Sequence, residues 1–561
     1  MARVRAPQLH GEGGWIGVGQ LDLAALRGKV VLLDFWTLAC VNCLRVIEEL
    51  RGLERRWVDE LVVVGVHSPK FPHERDHAAV RAAVARHRVE HPVLDDPASR
   101  TWSAYAVRAW PTQVLVDPAG YEVGRWSGEG HAVAVSKRIE EVVREHDARG
   151  TLRRDRLELG AVASGTGELA SPGKVCVRGT SSDERSPWQI AVADTGHDRV
   201  LVCAADGEVL AEHTGLYQPQ GVRWVGDGSC LLVCETGADR VWRLSADGTR
   251  ALLTDKLASP WDVVEWHGHV VIAEAGGHRL WAIDADGEVQ VIAGSAGEGL
   301  FDGPALGAGL AQPSGLAITA RGELAWVDAE SSALRVLDRP GGLVRTLVGE
   351  GLFDWGAADG AAEHASMQHP LGVATGPSGE LWVADAFNDR VRVWREGHLW
   401  TVPVAGFDEP GGLDVLEDGR LVVADTGNHR IVVVEPVEAS LMVIAIGRPG
   451  SVDVAAPVVA DTLVLEAGGR LEVVLDLALD GDELDAATGV PVRVRAEADP
   501  PELLLGEQEW TAGALPATVS LALAHEPGAS GRVTVELLAA TCGPAACRLR
   551  RTQRAYDLIL T

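Results

Sequence analysis

The chain has 561 residues, too many for a single hydrophobic core, and its 46% hydrophobic content describes a well-buried globular protein of about three domains. A formal net charge of −29 argues against binding through nucleic-acid phosphates or an anionic membrane surface, which call for clustered Lys and Arg. With 64 glycines and 27 prolines, the chain must turn often, so short strands are expected. Residues 1–20 hold no apolar run of signal-peptide length, and no stretch approaches the ~18 apolar residues of a membrane span. A cytoplasmic location is therefore expected, where thiols are kept reduced and a close cysteine pair is catalytic, redox-sensing or metal-binding.

The first domain is expected over residues 1–150. Val30-Val31-Leu32-Leu33 is a continuous apolar strand that runs through Asp34, Phe35 and Trp36 into Cys40-Val41-Asn42-Cys43. Val46, Ile47, Leu50 and Leu53 then recur at a spacing that keeps them on one helical face. Cys40 is thereby placed at a helix N-terminus, where unpaired N–H groups and the helix dipole favour a thiolate. Further on, Leu61–Val66 and Val114–Val116 read as strands, and Glu74–His87 and His131–His146 as helices. As zinc ligands, Cys40 and Cys43 lack a second CxxC or HxxxH at finger spacing. The spacing Thr37-x-x-Cys40 fits a peroxidatic site, but Leu33 stands where that motif needs proline, so thiol peroxidase is the lesser reading. His67, His73, His77, His87 and His91 match no metal template and read as surface or loop residues; no metal site is expected.

Asp34-Phe35-Trp36-x-x-x-Cys40-x-x-Cys43, followed by Trp110-Pro111-Thr112 and Val116-Asp117-Pro118-x-Gly120, resembles the thioredoxin superfamily and its TlpA/ResA-like branch. The resemblance implies an α/β thioredoxin-like fold, with Cys40 as exposed nucleophile, Cys43 as resolving thiol and Asp34 as the buried acid that manages its proton. It further implies a cis bond before Pro111 and a substrate-binding surface of Trp36, Trp110, Pro111 and Thr112, with no cofactor. Ala39 stands where relatives usually carry a bulky residue and Asn42 where they carry proline, changes expected to alter the redox potential.

Residues 151–170 read as a linker. From 171 to 446 a bipartite pattern recurs six times, beginning at Pro172, Pro219, Pro260, Pro313, Pro370 and Pro410, with intervals of 47, 41, 53, 57 and 40. In each, an apolar run ends in an acid and a turn, and in five a basic residue follows five positions after the acid: Asp194 to Arg199, Glu235 to Arg240, Glu274 to Arg279, Asp385 to Arg390 and Asp425 to Arg430. Each acid and its arginine are expected to fix their own blade; the fourth repeat has Ala333 at the basic position. Units of this length hold about four strands, so a six-bladed propeller is predicted. Val423-Ala424-Asp425-Thr426-Gly427-Asn428-His429-Arg430-Ile431 resembles an NHL repeat. Two insertions, Gly294–Gln312 and Gly349–His369, each carry Gly-Leu-Phe-Asp and are candidate binding loops. Cys230 and Cys234 fall on one strand, too far apart for a disulfide, while Cys176 and Cys203 read as core residues.

Residues 455–561 alternate in short β-rich runs and read as a β-sandwich. Cys542 and Cys547 bracket a turn there, a candidate second redox pair or a passive hairpin pair.

Over nearly its whole length the chain resembles the NHL-repeat-containing protein 2 family, on Cys40-Val41-Asn42-Cys43, Val66-His67-Ser68-Pro69-Lys70-Phe71-Pro72, Trp110-Pro111-Thr112 and Asp328-Ala329-Glu330-Ser331-Ser332. A thiol–disulfide oxidoreductase is expected, acting on a protein disulfide or thiol, regenerated by a cellular dithiol reductant, with a protein partner recruited by the propeller. The rival expectation is an interaction scaffold or redox sensor, in which Cys40 need not be accessible.

Overall fold

The computed structural model describes residues 4–156, 167–179 and 188–447, apart from 227, 246 and 247; of the C-terminal domain it describes 458–459, 463–475, 483–484, 492–505, 509–512, 514–542 and 547–561.

The N-terminal domain is built from β1 (Gly14–Ile16), β2 (Val30–Trp36), α1 (Val41–Arg56), β3 (Leu61–His67), α2 (His77–Arg86), β4 (Val93–Asp95), α3 (Arg100–Ala104), β5 (Thr112–Val116), β6 (Glu122–Ser127) and α4 (Ala132–Ala148). One six-stranded sheet runs in the order β1-β4-β3-β2-β5-β6. β2, β3 and β4 are parallel, while β5 is antiparallel to β2. Every residue of β2 and β3 is buried, as continuous apolar runs covered on both faces require. The expected thioredoxin-like fold is present, with the bond before Pro111 cis. β1 carries no sequence signal of its own, and the helix expected from Glu74 begins only at His77, because Asp76 caps it by accepting the Ala78 N–H.

Six antiparallel sheets of four or five strands follow, opening with inner strands Val175–Gly179, Pro219–Val225, Pro260–Trp266, Pro313–Ile318, Gly372–Thr375 and Pro410–Val415. Together they form the six-bladed propeller. The residue before each blade's proline — Ser171, Gln218, Ser259, Gln312, His369 and Glu409 — is left-handed, with φ between 45° and 60°. That conformation is costly for a non-glycine residue, and proline pushes its predecessor elsewhere, so the surroundings must impose it. A repeated clasp does so. Each of these residues donates its N–H to a side chain of the preceding blade: Gln218 to Asp198 (3.0 Å), Ser259 to Asp239 (2.7 Å), Gln312 to His278 (3.1 Å), His369 to Ser332 (3.3 Å) and Glu409 to Asp389 (2.8 Å). Ser171 donates to His429 at 2.9 Å and so closes the ring from the last blade to the first. Burial holds the His278 and His429 pKa values down, consistent with neutral rings that accept these bonds.

The acid–arginine pairing differs from expectation. Asp194–Arg199 and Asp425–Arg430 pair at 2.7 Å as foreseen, and Glu235–Arg240 more loosely at 3.8 Å. Glu274 instead accepts the Trp281 indole N–H at 2.6 Å. Asp385 takes Arg392 rather than Arg390, at 2.7 Å, and Asp328 takes Arg335 at 3.0 Å. Arg335 and Arg392 sit seven positions after the acid and are fully buried. The same Nη1 of each also donates to an insertion carbonyl, Gly309 for Arg335 and Ser366 for Arg392, and Nη2 binds an insertion carboxylate, Asp302 and Asp359 respectively. Asp302 and Asp359 are therefore equivalent, although the two Gly-Leu-Phe-Asp runs are not. Arg392→Met leaves Asp385 as a buried uncompensated carboxylate, a change that costs about 3–5 kcal/mol. The variant is expected to melt lower and to lose amide-exchange protection in residues 358–366.

The C-terminal domain packs a seven-stranded sheet, built on the long hairpin Ser530–Cys542 and Cys547–Leu560, against the three strands Arg470–Leu475, Leu504–Leu505 and Ala517–Leu523. Leu471, Val473, Val494, Val519, Val535 and Leu537 fill the space between, giving the expected sandwich. Cys542 and Cys547 are register partners at the hairpin end, while their side chains and residues 543–546 lie outside what is described. No described helix is long and apolar enough to cross a membrane.

Candidate functional site: the dithiol at the propeller face

Cys40 is the N-cap of α1, with extended backbone, and its Sγ accepts the Cys43 N–H at 3.2 Å. This is the sulfur environment that a helix N-terminus offers a thiolate. One turn on, Cys43 is fully buried, and burial followed by the adjacent Cys40 pushes its thiol well above the ordinary range. Asp34, within β2, is fully buried, and neither carboxylate oxygen has a hydrogen-bond partner among the described residues. Burial pushes its pKa up to about 7, with His91 pulling the other way. Asp34 is thus poised to hold or release a proton near neutrality, and its charge in turn raises Cys43.

Glu74 organises the loop that carries the dithiol. It is fully buried and bonds four donors: the Thr37 hydroxyl, the Ala39 N–H at 2.9 Å, the Lys70 N–H at 2.6 Å and the Phe71 N–H at 2.7 Å. Nothing in the local pattern around Glu74 marks it for this role. Because the Thr37 hydroxyl donates to Glu74, it does not serve Cys40, and the peroxidatic reading loses its geometry.

The expected exposed nucleophile is not exposed. Cys40 is only 5% accessible, because the propeller sits on the dithiol face. The Gln312 side-chain amide accepts the Val41 N–H at 3.1 Å and donates to the Ala39 carbonyl at 3.0 Å, bracketing Cys40 on both sides. Ala386, Phe387 and Leu371 of the propeller share one apolar cluster with Cys40, Cys43 and Phe71. Five of the six left-handed residues before the blade prolines touch this domain. Gln218 and Ser259 reach Glu48 and Arg45 of α1, Gln312 holds the dithiol loop, and His369 packs on Phe71. Glu409 binds His73 at 2.9 Å and Arg86 at 2.6 Å. Further pairs, Arg45–Asp239 and Arg88–Asp198, extend the seam. A cavity of about 260 Å³ remains between α1 and the propeller, lined in part by Val41, Arg45, Glu49, Gln220 and Trp261.

The expected substrate-binding residues divide. Trp36 is fully buried and packs edge-on against His67, so it offers no surface to a substrate; an aromatic at the end of a central strand belongs to the core. Pro111 and Thr112 are also buried, and Thr112 is paired on both sides, to Phe35 and Ser127. Trp110 alone stays half-buried, stacked on Trp102 and bonded to the Ser68 carbonyl. Among the histidines, His67 and His91 are core residues and His73 is an interface residue, contrary to the surface reading. Among the described residues no three His, Cys, Asp or Glu side chains converge to hold a metal ion. Cys230 and Cys234 are free thiols on one strand, and Cys176 and Cys203 lie in blade cores, as foreseen.

A thioredoxin-like domain whose dithiol is seated on the face of an NHL β-propeller defines the class of this protein. Over 533 residues it is 31% identical to NHL repeat-containing protein 2 of Gallus gallus, covering 80% of this chain and 72% of that protein. The chain belongs to the NHL repeat-containing protein 2 family. The family models described as Thioredoxin-like and NHL repeat match residues 28–122 and 407–434. Protein SUPPRESSOR OF QUENCHING 1, chloroplastic, of Arabidopsis thaliana is 29% identical over 491 residues, covering 76% of this chain and 46% of that protein. The thioredoxin-like domain alone is 25% identical over 140 residues to Thiol-disulfide oxidoreductase YkuV of Bacillus subtilis, covering 25% of this chain and 94% of that protein.

Proposed function

We propose that the protein is a thiol–disulfide oxidoreductase acting through Cys40 and Cys43, with the propeller as a cap that must lift for a protein substrate to enter. The observation that carries this reading is Cys40 Sγ as helix N-cap acceptor, with a buried Asp34 that has no hydrogen-bond partner among the described residues and acts on the second thiol. Cys40 thiolate attacks one sulfur of a substrate disulfide, forming a mixed disulfide and expelling the other sulfur as a thiolate. Cys43 gives up its proton toward Asp34 and attacks Cys40 Sγ, releasing the second substrate thiol and leaving a Cys40–Cys43 disulfide. Two electrons have then passed to the substrate, and a cellular dithiol must return them. The similarity of this domain to a named thiol-disulfide oxidoreductase supports the reading.

A second reading has its own support in the burial of Cys40: a redox-sensing scaffold in which oxidation of the pair alters how the propeller sits. Both readings need a reversible disulfide. The test is the equilibrium of Cys40 and Cys43 against graded glutathione, read by thiol-trapping mass spectrometry. A reversible disulfide of roughly −180 to −270 mV fits both readings, with reduction of an added protein disulfide favouring exchange and its absence the sensor, whereas a potential well below about −300 mV marks a static structural bridge. Absence of any Cys40–Cys43 disulfide overturns both.

A further inference from the structure

Lys70 lies in the loop after β3 and is almost buried at the seam between the two domains. Its Nζ sits 2.6 Å from Glu330 Oε2 of the propeller, with side-chain exposures of 8% and 3%. The ammonium lies between two aromatic rings, Trp110 of its own domain at 5.3 Å and Phe353 of the second insertion at 4.7 Å. Trp110 packs against the apolar cluster that holds Cys40, and the two carboxylate oxygens of Glu74 accept the Ala39 N–H and the Lys70 N–H, which sets Lys70 beside the dithiol loop. The only cation in this set therefore belongs to the thioredoxin-like domain, while its counter-charge belongs to the propeller.

The other charges around Cys40 are accounted for. From its own domain come Glu74, which carries four hydrogen bonds, and Asp34 and Cys43 behind the helix end. From the propeller come Glu298, which acts on both Lys70 and Glu330, and the rings of His278 and His369, whose pKa values burial holds down. Lys70 is the group of this set whose charge favours a thiolate at Cys40, and Glu330 is the one that opposes it through direct contact.

We infer that Lys70 and Glu330 are positioning residues for Cys40: Glu330 holds the Lys70 ammonium at the dithiol and offsets part of its field, so that docking of the propeller sets how readily Cys40 ionises. The inference rests on the thiol-exchange reading and assigns two further residues to that site. A propeller that lifts away takes Glu330 with it and leaves Lys70 behind, so the nucleophile gains reactivity at the moment it becomes accessible.

The experiment is the pH profile of Cys40 alkylation by iodoacetamide in the reduced full-length protein, localised to Cys40 by peptide mass spectrometry. Lys70→Met is expected to move the profile midpoint up and Glu330→Gln to move it down, each by on the order of one pH unit. Lys70→Arg, which keeps the cation, is expected to restore the original midpoint. A purely structural salt bridge gives a different pattern: both variants loosen the seam and raise the plateau rate, and the midpoints stay where they were. That pattern, or two shifts of the same sign, overturns the inference. If Lys70→Met does not fold, a downward shift in Glu330→Gln beside an unshifted Lys70→Arg supports the inference, and an unshifted Glu330→Gln overturns it. Alkylation does not require exchange, so opposite midpoint shifts without a Cys40–Cys43 disulfide sink the oxidoreductase reading alone, and a disulfide without shifts sinks this inference alone.

Discussion

Glu409→Ala is expected to unseat the thioredoxin-like domain and raise the rate of Cys40 alkylation at least tenfold. Glu409 is buried and binds two cations of the other domain, His73 and Arg86, at 2.9 and 2.6 Å. Removing it strands both, and breaking a buried ion pair in this way costs about 3–5 kcal/mol, enough to shift a docking equilibrium 10²-fold or more. The pH dependence of docking follows from the same triad. The adjacent Arg86 and His73 charges hold Glu409 down at about 2, against strong desolvation. Its contribution is therefore complete above its unfolded value near 4.5 and is lost only as pH falls toward 2. His73 is raised, by its bond to Glu409 against desolvation, so its contribution is complete below about 6.5 and fades as pH climbs through its folded value. Docking should hold at mildly acidic pH and loosen on the alkaline side. Alkylation rates normalised to thiolate fraction, with small-angle scattering for the separation of the domains, check both statements.

The second large effect concerns Asp34. A carboxylate raised from 3.8 to about 7 in the folded state makes its largest contribution to stability below pH ~4, and that contribution declines as pH rises through the window up to about 7. Three pKa units correspond to on the order of 4 kcal/mol at pH 8. Asp34→Asn removes the charge at nearly constant shape, so it is expected to stabilise the domain by up to about that amount at pH 8 and hardly at all at pH 4. Amide exchange of β2 at the two pH values measures the difference. The same substitution removes the group proposed to receive the Cys43 proton. Resolution of the mixed disulfide is expected to slow about 10²-fold near neutral pH, within the usual range for a lost general base. Rapid acid-quench trapping of the mixed disulfide reads that step directly. Stabilisation and slowing should appear together, because one desolvated carboxylate is responsible for both.

What could be read from the sequence follows from how local each signal is. The dithiol, the strand before it and the buried face of α1 are encoded within some twenty residues by a run of apolar residues and a helical period, and they are found where expected. The six prolines mark the six inner strands because each repeat spells its own blade. The failures that bear on the site are mostly long-range. Gln312 reaches Val41, next to Cys40, from 271 positions away, and no window around either residue contains the other. Trp36 next to a CxxC has the composition of a binding surface, but the strand it ends lies at the centre of a covered sheet. Arg392 displaced the expected Arg390, and Arg335 serves where Ala333 offered no base, because the insertions bring carbonyls and carboxylates that a guanidinium two residues further on can fork between. The residues before the prolines share no side-chain type, only a place in the backbone, so their clasp has no compositional trace.

That clasp has a consequence for how the two domains meet. A closed ring of six like blades offers six almost interchangeable seats, turned about 60° from one another, and the backbone alone gives a visitor no reason to prefer one. Preference enters through the residue at each seat. Serine, glutamine, serine, glutamine, histidine and glutamate follow one another in a fixed circular order, and five of the six engage a different feature of the thioredoxin-like domain. Read around the rim, they form a combination that matches in one azimuth and mismatches in the other five. The propeller thus fixes the angular setting of the dithiol with side chains that its own architecture leaves free to vary.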